Sequence, residues 1–348
     1  MELIAATGSR GLNDDRAGQA VLDVRDLRVY YHTPRGAVKA VDGVSFALRP
    51  GERFGLVGES GSGKTTIALA LMRLIKPPGR IEDGQARLDG VDILALPEEQ
   101  MRALRLAKIA MVAQGAMNSL NPVLRVRDQF YDAFRDHGES LSRQQAEGRV
   151  RELLQQVGLT PGVAAMYPHE LSGGMKQRVC LAIAISLRPR VIIADEPSSA
   201  LDVVVQRQVM ETIRRVQEQL GAAVILVGHD MGLMAQTVDR LGVMYAGQLA
   251  EVSGVEDIFR APLHPYSQLL IASLPTLKRR GVFQGIPGLP PSLLARPRGC
   301  AFRARCPAAF ERCATEEPEL IEAGPGRLVA CHLYEPGGDG RPVARAAP

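Results

Sequence analysis

The segment Gly58-Glu59-Ser60-Gly61-Ser62-Gly63-Lys64-Thr65 lies between the apolar run Phe54–Val57 and the helix-like stretch Ile67–Ile75. It constrains the fold more tightly than anything else in the chain, because the pattern works only as a strand, a glycine-rich turn and a helix start in that order. Glycines let backbone N–H groups converge on phosphates, and the helix N-terminus adds its positive dipole end. The loop residues Gly58, Ser60, Gly61, Ser62 and Gly63 are therefore expected to cradle a nucleoside triphosphate, ATP or GTP. Lys64 should reach the β- and γ-phosphates as a point charge. Thr65 should complete part of a Mg²⁺ shell, with Thr66 beside it in the first turn. The bland alternative is a Gly/Ser turn matching by chance; the strand before, the helix after and the closing Lys-Thr-Thr count against it.

A second apolar run, Val191-Ile192-Ile193-Ala194, ends in Asp195-Glu196. An uninterrupted apolar strand suits a parallel sheet covered on both faces, and ligands in such sheets sit at the carboxyl ends of strands. Asp195 is thus placed to hold Mg²⁺ through water, and Glu196 to polarise an attacking water as a general base. Asp-Glu-Pro would also start a helix well, which is the structural alternative.

At 348 residues the chain exceeds the usual size of a single core, so a domain of about 250 residues plus a smaller appendage is expected. The formal net charge of +4 is mild and Lys/Arg are scattered, so composition makes no case for nucleic acid. No apolar stretch approaches the ~20 residues that span a bilayer, and the basic-then-apolar pattern of a secretory signal is missing, so a cytoplasmic protein is expected. Residues 1–18, rich in Gly, Asp and Ala, read as a flexible tail.

Between the two motifs lies Leu171-Ser172-Gly173-Gly174-Met175-Lys176-Gln177-Arg178, opening the apolar helix Val179–Leu187. Alone, Ser-Gly-Gly reads as a helix cap; it is also an anion-binding N-terminus. In order with the other motifs it makes the chain resemble the ATP-binding cassette (ABC) family. The resemblance implies an α/β P-loop NTPase of ABC type, with an antiparallel β portion near the N-terminus and a helical insertion at about 115–188. It also implies a head-to-tail dimer in which signature residues Ser172, Gly173, Gly174 and Gln177 face a second nucleotide, Ser172 and Gly174 touching the γ-phosphate held by the partner's Lys64. Gln114, after the strand-like Ile109–Ala113, matches the glutamine linking Mg²⁺ and the attacking water to the helical insertion. In Ser199-Ala200-Leu201-Asp202, Asp202 matches the interface-loop carboxylate, a role compatible with simply starting a helix. His229, after the β-like Ala223–Val227, matches the histidine at the γ-phosphate. Tyr31, closing the first strand Val21–Tyr31, is the candidate for stacking on adenine; Tyr30 is the alternative, since only one of two neighbours on a strand can point at the base.

Only 107 positions separate Thr65 from Ser172, with no sustained heptads, unlike cassette proteins of DNA repair and chromosome structure. A single cassette also differs from the paired cassettes of translation-associated relatives. Val150, Leu153, Leu154 and Val157 mark an amphipathic helix of the insertion. In transporter cassettes this region and the Gln114 loop receive a short helix of an integral membrane permease. Three further stretches are similar to the ATPases of the oligopeptide/dipeptide/nickel uptake family: Ser119-Leu120-Asn121-Pro122, Asp202-Val203-Val204-Val205-Gln206 and Pro262-Leu263-His264-Pro265-Tyr266-Ser267. That resemblance covers about residues 20–335 and departs mildly at Ala113 and Gly115–Met117. It implies a cassette at 19–258, an extension at 259–348 and a peripheral place on the cytoplasmic face of the membrane. It further implies a second cassette, of this chain or a paralogue, and an extracytoplasmic solute-binding protein reached through the complex. The alternative is a soluble ABC ATPase of cofactor assembly or nucleic-acid transactions. The transported solute is not written in the residues.

Four of the five cysteines, Cys300, Cys306, Cys313 and Cys331, fall in the extension. Clustered cytoplasmic cysteines favour metal over disulfides, but the two-residue gaps of zinc knuckles are missing and Pro307 follows Cys306. In some members of the resembled family this pattern holds a [4Fe–4S] cluster; zinc and free thiols are the alternatives. The extension is expected to consist of loops and short helices, with the ATP site in a separate domain that has its own core. Cys180, in the apolar signature helix, is expected to be an inert core residue.

Overall fold

The computed structural model describes residues 20–115, 119–199, 201–274 and 285–335. The expected tail 1–18, Ala200 of the interface loop and positions 116–118 behind Gln114 lie outside the described residues.

An antiparallel sheet opens the chain, formed by β1 (Leu22–Thr33), β2 (Gly36–Leu48), β4 (Gly79–Leu88) and β5 (Val91–Asp92) in the order β2-β1-β4-β5. Along β1 the buried residues are Leu22 and Val24, then Leu27 and Val29. This change of parity falls where the pairing with β2 is irregular and Asp26 takes a left-handed φ of 46°, a bulge that returns apolar side chains to the core.

The second sheet has eight strands in the order β11-β12-β10-β9-β3-β8-β7-β6. Its parallel part comprises β3 (Arg53–Val57), β6 (Ile109–Val112), β7 (Val191–Asp195), β8 (Ala223–Val227) and β9 (Arg240–Tyr245). Both faces of β7 and β8 are buried. Ile192, Ala194, Val224 and Leu226 pack into the core shared with the helical insertion, whereas Val191, Ile193, Ala223 and Ile225 pack against the N-terminal sheet and α1 (Lys64–Leu71). Beyond α1 and α2 (Glu98–Leu104), the insertion carries α3 (Val126–Asp136), α4 (Arg143–Gln156) and α5 (Gly173–Ala184). A Ser142/Gln145 capping box starts α4, and its Val150, Leu153 and Leu154, with Val157 just past its end, are buried as the periodicity requires. Packing into the same core as the insertion are α6 (Val203–Leu220), α7 (Met231–Thr237), α8 (Val255–Arg260) and α9 (Pro265–Ala272). Among the described residues, no helix is long and apolar enough to cross a membrane.

Two expectations need correction. The helix after the phosphate loop ends at Leu71 rather than Ile75: Arg73 turns left-handed (φ 50°) and its guanidinium donates to the Leu96 carbonyl, leaving Leu74 exposed. More consequentially, the C-terminal extension is not only loops and short helices. Its strands β11 (Ile321–Gly324) and β12 (Arg327–Val329) extend the main sheet, β12 pairing antiparallel with β10 (Gln248–Gly254) at Val252↔Leu328 and Glu251↔Val329. Tyr266 and Phe302, both at most 1% exposed, pack on Tyr245 of β9 at ring-centroid distances of 4.7 and 5.1 Å and on each other at 5.4 Å. Burying these aromatics against the sheet fixes the extension to the cassette. The extension also includes α10 (Arg312–Thr315).

Candidate active site

The loop between β3 and α1 is shaped by glycine at two positions. A Cβ on Gly58 (φ 149°) would stand 2.2 Å from the Met244 carbonyl oxygen, and one on Gly63 (φ 104°) 2.1 Å from that of Ala40. No other residue fits. Ser60 and Gly61 form the exposed lip, while Ser62 and Lys64 are buried. Lys64 Nζ donates to the carbonyl oxygens of Gly58 and Glu59, both at 2.9 Å, and to Ser62 Oγ at 3.2 Å. Burial lowers its pKa, against the fields of Glu196, Asp195 and Glu59. The lysine thus fills the concavity it is expected to share with phosphate.

Helix α1 begins at Lys64, so Thr65 and Thr66 lie in its first turn. Thr65 Oγ1 donates to Asp195 Oδ1 at 3.1 Å, joining residues 130 positions apart. Asp195 is 1% exposed and its Oδ2 has no hydrogen-bond partner. Burial raises its pKa to about 6; the Thr65 bond and Lys64 oppose the shift, and the nearby Glu196 charge adds to it. A buried, half-satisfied carboxylate beside a threonine hydroxyl fits Mg²⁺, which would supply the missing partner.

Three adjacent strand ends then supply one residue each. Glu196 follows β7, Gln114 lies two positions past β6, and His229 two past β8. Gln114 Nε2 donates to Glu196 Oε2 at 3.0 Å, and His229 Nδ1 lies 3.4 Å from Glu196 Oε1. The Glu196 backbone is left-handed (φ 44°) and its N–H donates to the Val227 carbonyl at 2.9 Å. A strained, hydrogen-bonded backbone therefore aims this carboxylate. Beside it opens a cavity of about 150 Å³, lined by Ser198, Ser199, His229 and Asp230.

The signature residues stand apart from this cluster. Ser172 caps α5, its Oγ accepting from Met175 N at 3.3 Å. Gly173 opens the helix, and Gly174 is held against α6, where a Cβ would lie 2.5 Å from Val205 Cγ1. Gln177 is buried. Asp202 caps α6, accepting from Val204 N at 3.1 Å and Val205 N at 3.0 Å. In the single chain, both side chains thus serve as helix caps. On β1, Tyr30 donates to Asp42 Oδ1 at 2.5 Å and its ring lies under Lys39. Tyr31 lies over Gly79, where a Cβ would come within 2.7 Å of its ring.

The cysteines converge only in part as expected. Cys300, Cys306, Cys313 and Cys331 line one small cavity with Phe310 and His332, with open space of about 10 Å³, room for a single water. Burial raises the thiol pKa of Cys300, and lifts Cys306 to about 11 and Cys331 to about 12. The ready-made metal site is not found: among the described residues no group of three or more His, Cys, Asp or Glu is placed to hold a metal ion. The donor set of four thiols around one cavity suits a soft metal. Cys180 is partly buried against the core, and burial raises its pKa to about 12.

Sequence reasoning missed what surrounds Glu59. Arg305 of the extension donates Nη1 and Nη2 to its two carboxylate oxygens at 2.7 and 2.8 Å, and Tyr266 Oη accepts from Glu59 N at 3.0 Å. No local pattern signals a pair 246 positions apart.

A glycine loop whose lysine and threonine meet a buried aspartate, with a glutamate held between glutamine and histidine, defines a phosphate-loop nucleoside triphosphatase. Comparison with known proteins narrows the class. The family model described as ABC transporter matches residues 41–199, and that described as oligopeptide/dipeptide transporter, C-terminal region, matches residues 250–313. The oligopeptide transport ATP-binding protein OppD of Escherichia coli is 44% identical over 90% of this chain and 93% of its own length. The dipeptide transport ATP-binding protein DppD of Haemophilus influenzae is 42% identical over 90% of this chain and 95% of its own. Among solved structures, the ATP-binding cassette MJ0796, a dimer with ADP and phosphate, superposes with a TM-score of 0.61 at 25% identity, covering 67% of this chain and 98% of that one. The chain belongs to the ABC transporter family, as an ATPase carrying the oligopeptide/dipeptide C-terminal region.

Proposed function

We propose that this chain is the ATP-hydrolysing subunit of an importer for peptides or a similar small solute, peripheral on the cytoplasmic face of the membrane. The observation that carries the reading is the Gln114–Glu196–His229 cluster set beside Thr65–Asp195, on a chain similar along nine-tenths of its length to oligopeptide transport ATP-binding proteins. Lys64 and the loop amides bind the β- and γ-phosphates, and Tyr31 stacks on the base. Thr65, Asp195 and Gln114 would hold Mg²⁺, which would supply charge neutralisation on the phosphates. Glu196 takes a proton from the attacking water, and Gln114 and His229 hold its carboxylate in line. Ser172, Gly173, Gly174, Gln177 and Asp202 act across a head-to-tail dimer with a second cassette, as the dimeric relative suggests. Closure of two cassettes on ATP pulls on permease subunits, and hydrolysis reopens them. The cleft of about 670 Å³ between α3 and α4, lined by Tyr131, Phe134 and Leu141, supports docking of a permease helix on the insertion. An extracytoplasmic solute-binding protein completes the assembly.

We further read Cys300, Cys306, Cys313 and Cys331 as ligands of a [4Fe–4S] cluster, with zinc as the alternative, supported by four thiols around one cavity. Anaerobic purification from membranes tests both readings. Co-elution with permease subunits and ATPase activity are expected, with about four iron and four sulfide per chain. A soluble ATPase free of membrane subunits would favour a non-transport role. Stoichiometric zinc, or neither metal, would remove the cluster.

A further inference from the structure

Glu59 places a carboxylate inside a loop built to receive polyphosphate, and its field already acts on the Lys64 ammonium. Left alone, that charge would repel the nucleotide. Arg305 answers it. Its side chain is 4% exposed and forms a bidentate pair with Glu59, whose side chain is 26% exposed. Every arm of the guanidinium is anchored: Nε donates to the Pro287 carbonyl at 2.8 Å, Nη2 also to that of Ile286 at 3.3 Å, and Nη1 also to Tyr245 Oη at 3.3 Å. Such a fork fixes direction as well as charge. Tyr266, fully buried at the start of α9, takes the backbone N–H of the same Glu59. The phosphate loop is therefore gripped at side chain and backbone by two residues that follow the cassette in sequence.

We propose that Arg305, supported by Tyr266, is a positioning residue of the ATP site: it neutralises Glu59 and holds the phosphate loop in its binding shape, making ATP affinity a property of the C-terminal extension. The inference rests on the ATP-binding reading above and deepens it. Arg305 touches the loop rather than the reacting atoms, so it acts on binding and leaves the chemical step alone.

The test is a double-mutant cycle on the full chain in its purified complex, reading Mg-ATP affinity and turnover at saturating ATP. Arg305→Gln should raise the ATP Kd about tenfold, with kcat within about threefold of wild type. In a Glu59→Gln background, where there is no charge left to neutralise, the same change should alter Kd less than about twofold. A tenfold coupling is about 1.4 kcal/mol. An affinity within twofold of wild type in Arg305→Gln overturns the proposal, as does an equal loss in both backgrounds, which would mark a purely structural residue. A fall in kcat at unchanged Kd also overturns it. Should Arg305→Gln not fold, Arg305→Lys gives the same reading at smaller amplitude: about threefold weaker binding supports it, and wild-type binding overturns it. Lys64→Ala serves as the control. If Lys64→Ala binds ATP normally, the site itself is misassigned; if it fails to bind while Arg305→Gln binds as wild type, only the present inference falls.

Discussion

Glu196→Gln isolates the charge of the proposed base from its shape. The glutamine carbonyl can still accept from Gln114 Nε2, now 3.0 Å from the carboxylate, and its amide can still face His229 Nδ1, so the cluster keeps its contacts. The left-handed backbone and its bond to Val227 are untouched, and stability should stay within about 0.5 kcal/mol. Removing general-base assistance costs roughly 10²–10⁴-fold in turnover, about 2.7–5.4 kcal/mol on the barrier. Binding should move the other way. Glu196 heads the charges acting on Lys64, so removing a carboxylate beside the phosphate site leaves ATP affinity unchanged or tighter. The assay pairs steady-state hydrolysis in the assembled transporter with equilibrium Mg-ATP binding. Turnover within twofold of wild type would refute Glu196 as the base, and a loss explained by weaker ATP binding would refute the electrostatic argument.

Gly63→Ala, whose Cβ meets the Ala40 carbonyl, should abolish ATP binding, whereas Gly61→Ala, also left-handed (φ 76°) but with no atom within 4 Å, should cost only about 1 kcal/mol; equal affinities in binding titrations would contradict the steric account. His264 is fully buried and burial lowers its pKa from 6.5 to about 4, so its neutral form stabilises the fold fully above pH 6.5 and that stability is lost as pH falls from 6.5 towards 4. Urea midpoints should show about 2 kcal/mol lost between pH 7 and pH 5, and a flatter profile in His264→Asn; parallel profiles would discount the histidine. Mixing Ser172→Arg with Lys64→Ala chains should give more ATPase activity than either alone if two copies of this chain share a sandwich, because one composite site stays intact. No rescue points to a paralogous partner.

How much of this was legible depended on whether a feature leaves a local pattern. The phosphate loop, the all-apolar β7 and β8 and the i, i+3, i+4, i+7 face of α4 each write their environment into a few consecutive residues; Glu196 ends such a strand, whereas Gln114 and His229 were matched through the family resemblance. Strand β11 does not: its four residues, Ile321 to Gly324, are all only partly buried or exposed and show no alternation. The pairs Glu59–Arg305 and Asp42–Arg296 span 246 and 254 positions, and one arginine among many carries no mark of its partner. The helix end at Leu71 was equally hidden, since apolar residues recur through Leu74 and Ile75 while the backbone turns left-handed at Arg73. The cysteines show the reverse case, in which clustering and the family resemblance suggested a metal site and the structure brings the thiols around one cavity, with no metal-holding group among the described residues.

The hairpin β11–β12 covers the outer edge of β10, whose Leu249, Val252 and Ser253 are buried. Until a growing chain has been synthesised through Val329, that edge presents open N–H and C=O groups next to apolar side chains, the arrangement that recruits strands from other chains. The proposed catalytic residues all precede it, so a growing chain carries them well before that edge is covered. A chain shortened at the cassette boundary would keep that vulnerable state permanently.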